Sequence, residues 1–557
     1  MKYNQMKYIL NFKVSIAIFL FITIQILISC AKIGSPSGGN YDRTPPKLLE
    51  ANPKHNSTNY KGNEFEIMFD EYIVLANTSE DIIISPPLKN KPTIKSNLKT
   101  LSVSWTDTLS DNTTYIFDFG SSIVDYTEGN KLDKFSYSFS TGPYIDTNEY
   151  KGKLIEAYSQ KPVSNKYVML YKSEDSSIVS KQKPNYVTRT DSNGNYHFRN
   201  IAKEKYLILA LDDKNQNLLY DLSTEPIAFS NEMIEATIYS KDSIKNLQSN
   251  KTNILYYFEP KDTIINLNAT TIISKYRFQL SFSNSTTDSL ELNFVYPNFD
   301  SKEDSNIFIQ YNTTKDTIDV WSLNLPFDSI KLVVRDIGLK EEVEQYYNKS
   351  ENSSKKDTFS FITPNPNQKF YSNCLIEMPF PIQDSTQTIE ALRIISTDTS
   401  IIQIKPLLSS PIFLQIIDPL EQGSTQKIII PKGQIRNKLG QVNDSLIFNL
   451  IIDNESDYGN LLFTINDTSF QDNKYILVLE DLTGKEIMRK FSVSREKVEF
   501  KYLNEGNYKL RIIIDRNKNN KWDYGDYYNR ILPEEIKYFS KTINIRKNWD
   551  VEEVFIP

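Results

Sequence analysis

The amino-acid sequence predicts an all-β protein built from tandem β-sandwich domains. Apolar and polar residues alternate over short runs that turn residues separate, as in Phe135-Ser136-Tyr137-Ser138-Phe139 and Leu446-Ile447-Phe448-Asn449-Leu450. No long segment has a 3.6-residue period, and the best helix candidate, residues 339–347, could equally be a strand. A chain of 557 residues is long enough for roughly four or five domains.

Composition limits the chemistry that the chain can perform. The net charge of −6 and the absence of a basic stripe argue against nucleic acid as a partner. The chain has two histidines, His55 and His197, and two cysteines, Cys30 and Cys374. This excludes a Cys/His zinc cluster and argues against a histidine-dependent catalytic triad. We expect Cys374 to be a small buried apolar residue.

The first residues predict export. Lys2, Lys7 and Lys13 precede an uncharged apolar run at residues 14–28, which indicates a signal peptide over residues 1–29, the alternative being an uncleaved helix. The run ends in Leu27-Ile28-Ser29-Cys30, which resembles the bacterial lipobox. The resemblance implies cleavage before Cys30, diacylglycerol on its sulfur and acylation of the new amino terminus. Several acyl chains make a stable membrane anchor.

Residues 30–43, which begin with Cys30, are rich in Gly, Ser and Pro and predict a flexible tether with a reach of roughly 20 Å. Together with Pro45-Pro46 it resembles the start of envelope lipoproteins from Bacteroidota, which implies the outer membrane. In that group, acidic residues after the cysteine usually accompany surface export. Here Lys32 comes first and no acidic residue precedes Asp42, which favours the periplasmic face over the cell surface.

The remaining chain contains a duplicated unit. Asn165-Lys166-Tyr167-Val168-Met169-Leu170 matches Asn473-Lys474-Tyr475-Ile476-Leu477-Val478, and the strands at residues 206–211 and 508–513 also match. A fainter repeat relates residues 67–73 to residues 376–382. The sequence therefore predicts five domains, at residues 44–143, 150–245, 253–356, 364–453 and 458–557.

Two resemblances suggest families for these domains. Asn52-Pro53, Tyr115-Ile116-Phe117 and the closing strand before Ser140-Thr141-Gly142 resemble the bacterial Ig-like family, which implies that fold for residues 44–143. Residues 364–453 are expected to be a divergent copy, in which Pro379 and Pro381 restrict one strand to an edge or a bulge.

The second resemblance is carried by residues 191–198 and the Asn200-Ile201 turn. They resemble prealbumin-like or carboxypeptidase-regulatory-like sandwiches, which implies that fold for residues 150–245 and 458–557. Residues 253–356 are expected to form a β domain without a family match.

Both duplicated strands end in an Asx-rich loop that has the spacing of a calcium loop. Side-chain oxygens fall at offsets 0, 2, 4 and 8 of each loop, and the second loop adds a carboxylate at offset 11. Calcium takes six to eight such oxygens. The alternative is a chain reversal in which Asx side chains accept hydrogen bonds from backbone amides. The candidate calcium ligands are Asp213, Asn215, Asn217, Asp221, Asp515, Asn517, Asn519, Asp523 and Asp526.

Other chemical candidates are isolated in the sequence. Asp70-Glu71 is expected to be a solvated turn, and both histidines are expected to be surface or turn residues. Trp522 with Tyr524, Tyr527 and Tyr528 could form a sugar- or peptide-binding surface, or could pack over the loop.

These observations predict a non-catalytic, membrane-anchored envelope lipoprotein that binds or scaffolds other envelope proteins. Its expected partners are membrane lipid, through acylated Cys30, and envelope proteins, and calcium is the one candidate cofactor. The alternatives are a surface lipoprotein that binds glycans or peptides and a carboxylate-dependent hydrolase.

Overall fold

The computed structural model describes residues 41–556 with several internal gaps. The predicted signal peptide, Cys30 and most of the tether lie outside the described residues. The gaps are residues 78–81, 223, 238–252, 261–264, 274–275, 287–290, 297–298, 301–306, 313, 323–328, 336–342, 349–358, 360, 411 and 467–473.

The described chain is almost entirely β. No α-helix occurs in it, and its 3₁₀ segments Ser176–Ser180 and Glu455–Asp457 are short. Two compact units are distinguished. Of the described residues, the first comprises 41–148 with Asn185–Val187 and Arg199–Ala202, and the second comprises the others. The all-β, tandem-sandwich prediction is confirmed for the described residues.

The first domain lies in the first unit, and its described residues form nine strands. Its sheets have the orders β1-β2-β6-β5, β4-β7-β9 and β3-β8. The alternation seen in the sequence places Phe65, Ile67 and Phe69 of β2 in one core, together with Trp105 and Phe139, whose rings stack 5.7 Å apart. The strands are β1 (Leu48–Asn52), β2 (Glu64–Phe69), β3 (Ile73–Leu75), β4 (Ile83–Ser85), β5 (Thr93–Asn97), β6 (Thr100–Ser104), β7 (Thr114–Gly120), β8 (Ile123–Asp125) and β9 (Phe135–Ser140).

Residues 148–258, here the first repeat module, form two sheets. One has the order β13-β10-β17, and the other has the order β12-β11-β14-β15 with β16 also on β14. The strands are β10 (Asn148–Glu156), β11 (Tyr167–Tyr171), β12 (Tyr186–Arg189), β13 (Asn195–Ile201), β14 (Lys205–Leu211), β15 (Ile227–Phe229), β16 (Ile234–Glu235) and β17 (Ile254–Tyr257).

The next strands form two four-stranded sheets, β18-β19-β23-β22 and β21-β20-β24-β25. The segment that could have been helix or strand contributes β25. The strands are β18 (Leu267–Ile272), β19 (Arg277–Phe282), β20 (Glu291–Tyr296), β21 (Phe299–Asp300), β22 (Ile307–Tyr311), β23 (Thr317–Ser322), β24 (Ser329–Arg335) and β25 (Val343–Asn348).

The fourth domain is one hydrogen-bonded sheet in the order β26-β32-β31-β28-β29-β30-β27. An Ig-like sandwich is expected to have two separate sheets, whereas the strands of this domain form one continuous sheet. Its strands send alternate side chains into a single core that includes Cys374, as predicted, so the sheet must curve around that core. The strands are β26 (Asn367–Gln368), β27 (Leu375–Glu377), β28 (Ile389–Ile395), β29 (Asp398–Pro406), β30 (Phe413–Ile416), β31 (Thr425–Ile430) and β32 (Leu446–Ile452).

The proline prediction for this domain is confirmed. Strand β27 ends at Glu377, before Pro379, and it lies at an edge of the sheet. Proline has no backbone N–H, so it cannot continue the ladder.

The second repeat module, residues 458–556, repeats the topology of the first. Its sheets have the orders β36-β33-β40 and β35-β34-β37-β38, with β39 also on β37. The strands are β33 (Gly459–Ile465), β34 (Lys474–Asp481), β35 (Glu486–Val493), β36 (Lys497–Leu503), β37 (Gly506–Asp515), β38 (Ile536–Tyr538), β39 (Ile543–Ile545) and β40 (Asp550–Phe555).

The last strand of each repeat module runs parallel to the first. Strand β17 pairs with β10 as β40 pairs with β33. A module boundary at residue 245 is therefore too early, because Ile254–Tyr257 completes the first module and does not open the next domain. A parallel pairing between strands about a hundred residues apart leaves no local pattern in the sequence.

The matched strands of the two modules differ in register by one residue. Tyr167 pairs with Leu211, two residues before Asp213, whereas Tyr475 pairs with Ile514, one residue before Asp515. A one-residue shift moves matched side chains to opposite faces of the sheet. The shift is tolerated because both sheets bury apolar residues on both faces.

Candidate functional site

The two Asx-rich loops fold in the same way, each around a buried aspartate. Asp213 accepts hydrogen bonds from the amides of Asn217 (3.2 Å) and Leu218 (2.7 Å). Asp515 accepts from Asn519 (3.1 Å) and from the next residue (2.9 Å). The Asx side chains thus cap backbone amides at the end of each duplicated strand.

Each loop adopts a left-handed conformation without glycine. Leu218 has φ 62° and Asn520 has φ 64°, at the position where a calcium loop usually has glycine. For a leucine this costs about 1–2 kcal/mol, which the aspartate bonds to the loop amides offset.

A buried glutamate closes each loop, and the calcium pattern did not include it. Glu225 accepts from the amide of Lys214 (3.0 Å), and Glu534 accepts from the amides of Arg516 (2.8 Å) and Asp523 (3.2 Å). Each glutamate comes two residues before the next strand, which is the one signal shared in the sequence. Their distances along the chain from the loop aspartate differ, so a fixed spacing could not reveal them.

Burial raises the pKa of both glutamates above the ordinary value. The backbone hydrogen bonds oppose this effect, and neighbouring loop carboxylates add to it. For Glu225 those are Asp213 and Asp221, and for Glu534 they are the carboxylates at positions 515 and 523. Each loop therefore holds three carboxylates close enough to influence one another.

The structure brings together most of the predicted calcium ligands. Asn215 and Asn217 donate to the carboxylate of Asp221, at 3.0 and 2.7 Å. In the second loop Asn517 and Asn519 donate to Asp523 in the same way.

Asp526 is directed elsewhere. It accepts from the backbone and side-chain nitrogens of Asn529 at 3.0 and 2.8 Å, in a separate turn. Among the described residues, no group of three or more His, Cys, Asp or Glu side chains has the arrangement of a metal centre. Calcium binding stays a prediction.

The other candidate residues lie apart from these loops. Asp70-Glu71 forms a bend after β2, with Asp70 exposed. His55 lies in a turn, and its Nδ1 accepts from the amide of Ser138 at 3.3 Å. His197 is a half-buried residue of β13, not of a turn, and it contacts the carboxylate of Glu149 at 2.9 Å.

The tyrosines after Trp522 join the two repeat modules. The Tyr527 hydroxyl donates to the carbonyl oxygen of Ser176 at 2.7 Å. Its ring lies 5.4 Å from the Tyr220 ring and 5.2 Å from the Phe229 ring. The alternative to a binding surface was aromatic packing over the loop, whereas the Tyr527 ring packs against the first repeat module.

Arg530 strengthens the same junction. Its guanidinium lies 4.7 Å from the Phe229 ring centroid and donates to the carbonyl oxygen of Ser230 at 2.6 Å. Phe229 pairs directly with Leu209, which pairs with Met169, so the three share one face of the sheet. The second module thus covers a sheet face of the first with aromatic and cationic side chains.

A second contact between the modules surrounds Trp522. Tyr158 of the first module meets Trp522 edge to face, with ring centroids 5.0 Å apart. The same tyrosine lies under the guanidinium of Arg511, at 4.3 Å. The Trp522 Nε1 donates to the backbone oxygen of Glu534 at 3.0 Å, which ties the ring to the Asx-rich loop.

A cleft of about 500 Å³ opens beside this contact. Tyr158 and Tyr257 line it from the first repeat module, and Trp522 and Tyr524 line it from the second. The sequence pointed to Trp522 and Tyr524. It missed Tyr158 and Tyr257, because they lie more than two hundred residues away along the chain.

One family model matches part of the chain. Residues 42–141 match a bacterial Ig-like domain, which confirms the resemblance seen in the sequence of the first domain. No curated protein matches the chain.

Solved structures with tandem β domains show only distant similarity. The major pilin subunit BcpA of Bacillus cereus is 10% identical, with 73% of this chain and 99% of that chain covered and a TM-score of 0.15. The S-layer protein SbsC is 11% identical, with 90% and 67% covered and a TM-score of 0.14. The MG0-NIE-MG1 domains of alpha-2-macroglobulin from Escherichia coli are 8% identical, with 51% of this chain and 97% of that chain covered and a TM-score of 0.18. These values are too low for a functional conclusion.

In the part of the chain that the structure describes, no helix is long and apolar enough to cross a membrane.

Proposed function

We propose that this protein is a non-catalytic envelope lipoprotein, anchored through acylated Cys30 at the periplasmic face of the outer membrane. Its β domains bind other envelope proteins and hold them in place. The observation that carries the binding role is a row of exposed apolar side chains on the fourth domain.

This apolar row crosses four neighbouring strands of the seven-stranded sheet. Ile401 pairs with Leu392, Leu392 pairs with Ile429, and Ile429 pairs with Ile447. Directly paired residues point to the same face, and here that face is opposite the core. Ile401 is 66% exposed and Ile447 is 54% exposed. Contiguous exposed apolar surface marks interaction sites in soluble domains.

Polar residues flank the row on the same sheet face. Glu390 and Lys427 lie two residues along their strands from Leu392 and Ile429, and both are exposed. An apolar centre with a polar margin is the usual composition of a protein–protein interface.

The junction between the repeat modules supports a scaffold role. Tyr527 and Arg530 each combine ring packing with a hydrogen bond to the partner module's backbone. Such contacts restrict movement between the modules, because each side chain is fixed at both its apolar and its polar end.

Affinity purification tests this function. The tagged protein is recovered from detergent-solubilised membranes and compared with Ile401→Lys and with the matched control Leu408→Lys. Leu408 is 89% exposed and lies outside the row. We expect one envelope protein to be recovered with the wild type and the control and to be lost with Ile401→Lys. Equal recovery with both variants would contradict the proposal.

The anchor needs its own test. Growth with labelled palmitate is expected to label the wild type and not Cys30→Ala, and an unlabelled wild type would refute the anchor. Protease added to intact cells is expected to leave the protein uncut, and digestion would place it on the cell surface instead.

A further inference from the structure

The cleft between the repeat modules opens beside the module contact at Trp522 and lies apart from the apolar row. Its volume of about 500 Å³ falls in the range of clefts that hold small ligands. Both repeat modules contribute walls, so the site exists only when the two modules are joined. We infer that this cleft binds a neutral oligosaccharide.

The aromatic walls suit a sugar ring. Trp522 and Tyr524 meet edge to face, with centroids 4.8 Å apart and planes at 65°, and Tyr158 meets Trp522 at 61°. In an edge-to-face contact the edge of one ring covers a face of the other ring, and the ring that presents its edge keeps its own faces uncovered by that contact. Tyr524 is 43% exposed, so part of its ring remains accessible. The C–H faces of a pyranose ring pack on such surfaces as apolar groups do.

The charged walls select a neutral ligand with hydroxyl groups. Glu156 and Glu259 carry two negative charges, and Arg489 and Lys521 carry two positive ones. The formal charges cancel, so a polyanion or a polycation gains nothing overall. Carboxylates accept hydrogen bonds from hydroxyls, and ammonium and guanidinium groups donate to them.

Two of these groups are available to a ligand. Within the described residues, the Glu259 carboxylate and the Lys521 ammonium have no hydrogen bond or ion pair. The Tyr257 hydroxyl donates to Oδ2 of Asp212 at 3.4 Å, so it presents its oxygen to a ligand as an acceptor, and burial, with this carboxylate, raises its pKa far above the ordinary value. It therefore stays protonated throughout the neutral range.

The remaining walls are held in place before any ligand arrives. The guanidinium of Arg489 donates two hydrogen bonds to Glu486, at 3.0 and 2.8 Å. Glu156 accepts from the amide of Tyr158 at 3.0 Å, and Trp522 is fixed through its Nε1. A preorganised wall reduces the entropy lost on binding.

The cleft is less suited to an extended peptide. Peptides that bind β domains commonly add a strand at a free sheet edge. Most of this cleft is lined by strand ends and loop residues, since β10 ends at Glu156, β17 ends at Tyr257, and residues 521–524 follow β37, and Arg489 of the edge strand β35 is the exception.

The test uses the full-length protein in detergent on an array of neutral oligosaccharides that includes glucans, mannans, galactans, xylans and N-acetylhexosamine polymers. Hits are then titrated by calorimetry. We expect at least one family to bind, and binding to weaken at least tenfold in Tyr524→Ala and in Glu259→Gln. The matched control Trp549→Ala, an exposed tryptophan of the same module outside the cleft, is expected to bind like the wild type.

Several outcomes would overturn the inference. These are an array without binding, binding that both cleft variants retain, or loss of binding in Trp549→Ala as well. If a random peptide pool binds in the absence of sugar and Tyr524→Ala abolishes that binding, the cleft would be assigned to peptides instead. The apolar row lies on another domain and does not depend on any of these results, so the two proposals fail separately.

Discussion

Replacing Glu480 by leucine is expected to destabilise the second repeat module by about 3–5 kcal/mol. Glu480 of β34 and Arg511 of β37 form an ion pair on the sheet face opposite the module's own core. They are only 3% and 6% exposed. Leucine would leave the guanidinium buried without its counter-charge, and that uncompensated charge is the source of the loss.

Removing both charges should restore most of the stability. Arg511 has two buried nitrogens, Nε and Nη1, without a hydrogen-bond partner among the described residues. Burial raises the pKa of Glu480 in spite of the opposing attraction of Arg511, so desolvation outweighs the pair's attraction. We therefore expect Glu480→Leu with Arg511→Met to lie within about 1 kcal/mol of the wild type. Arg511→Met also gives up the cation–π contact with Tyr158, which limits any gain.

Hydrogen exchange followed by mass spectrometry measures this effect locally in the full-length protein. A loss of 3 kcal/mol corresponds to roughly hundredfold faster exchange of the β34 and β37 amides. The control is Glu552→Leu, which breaks an exposed ion pair with Lys497 in the same module and should change stability by less than about 1 kcal/mol. Exchange accelerated less than tenfold in Glu480→Leu, or a double variant as unstable as the single one, would refute the reasoning.

Four further predictions concern a module contact, the packing of Trp321 and the loops. Tyr527→Phe removes the hydrogen bond to Ser176, so the junction amides should exchange about fivefold faster, a cost of about 1 kcal/mol, and an unchanged rate would contradict this. Trp321→Ala removes a fully buried ring that packs against the fourth domain, so thermal unfolding should show a loss of about 3–5 kcal/mol, and a loss below about 1 kcal/mol would disprove the packing role. Calcium at millimolar concentration should raise the melting temperature of the wild type more than that of Asp515→Ala, which keeps only the first loop, and equal melting temperatures of the wild type in calcium and in chelator would contradict calcium binding. Because the pKa of Glu534 is raised, its contribution to the free energy of unfolding is present below the ordinary glutamate pKa and is lost as the pH rises through the raised pKa. The free energy of unfolding measured with chelator should therefore fall over that pH range, and calcium should reduce the fall.

Local alternation in the sequence determined most of the strands and their core faces. The run at Phe135–Ser140 forms β9, with Tyr137 and Phe139 in the core, and Leu446–Ile452 forms β32, with Phe448 and Leu450 in the core. A strand with one face buried must alternate, so the pattern and the structure have the same physical cause. The effect of Pro379 on its strand could be predicted for a similarly local reason, because proline lacks the donor that a ladder needs.

The sequence could not determine which distant strands pair or in which register. Some strands of the repeat modules bury apolar residues on both faces of their sheet, so no alternation in the sequence shows which face points to the module's own core. The one-residue difference in register between Tyr167 and Tyr475 was therefore hidden. The same limit applied to the parallel strand β17 and to Glu534, whose distance from Asp515 follows no local rule.

The amino-acid sequence by itself determined the fold class, the Ig-like first domain, the duplication and the two Asx-rich loops, because each depends on residues close together in the chain. Only the tertiary structure brought Tyr158 and Tyr257 to Trp522 and assembled the cleft between modules. Contacts between residues hundreds of positions apart are decided by how buried sheet faces pack, and packing depends on shape in three dimensions, which a one-dimensional pattern does not contain.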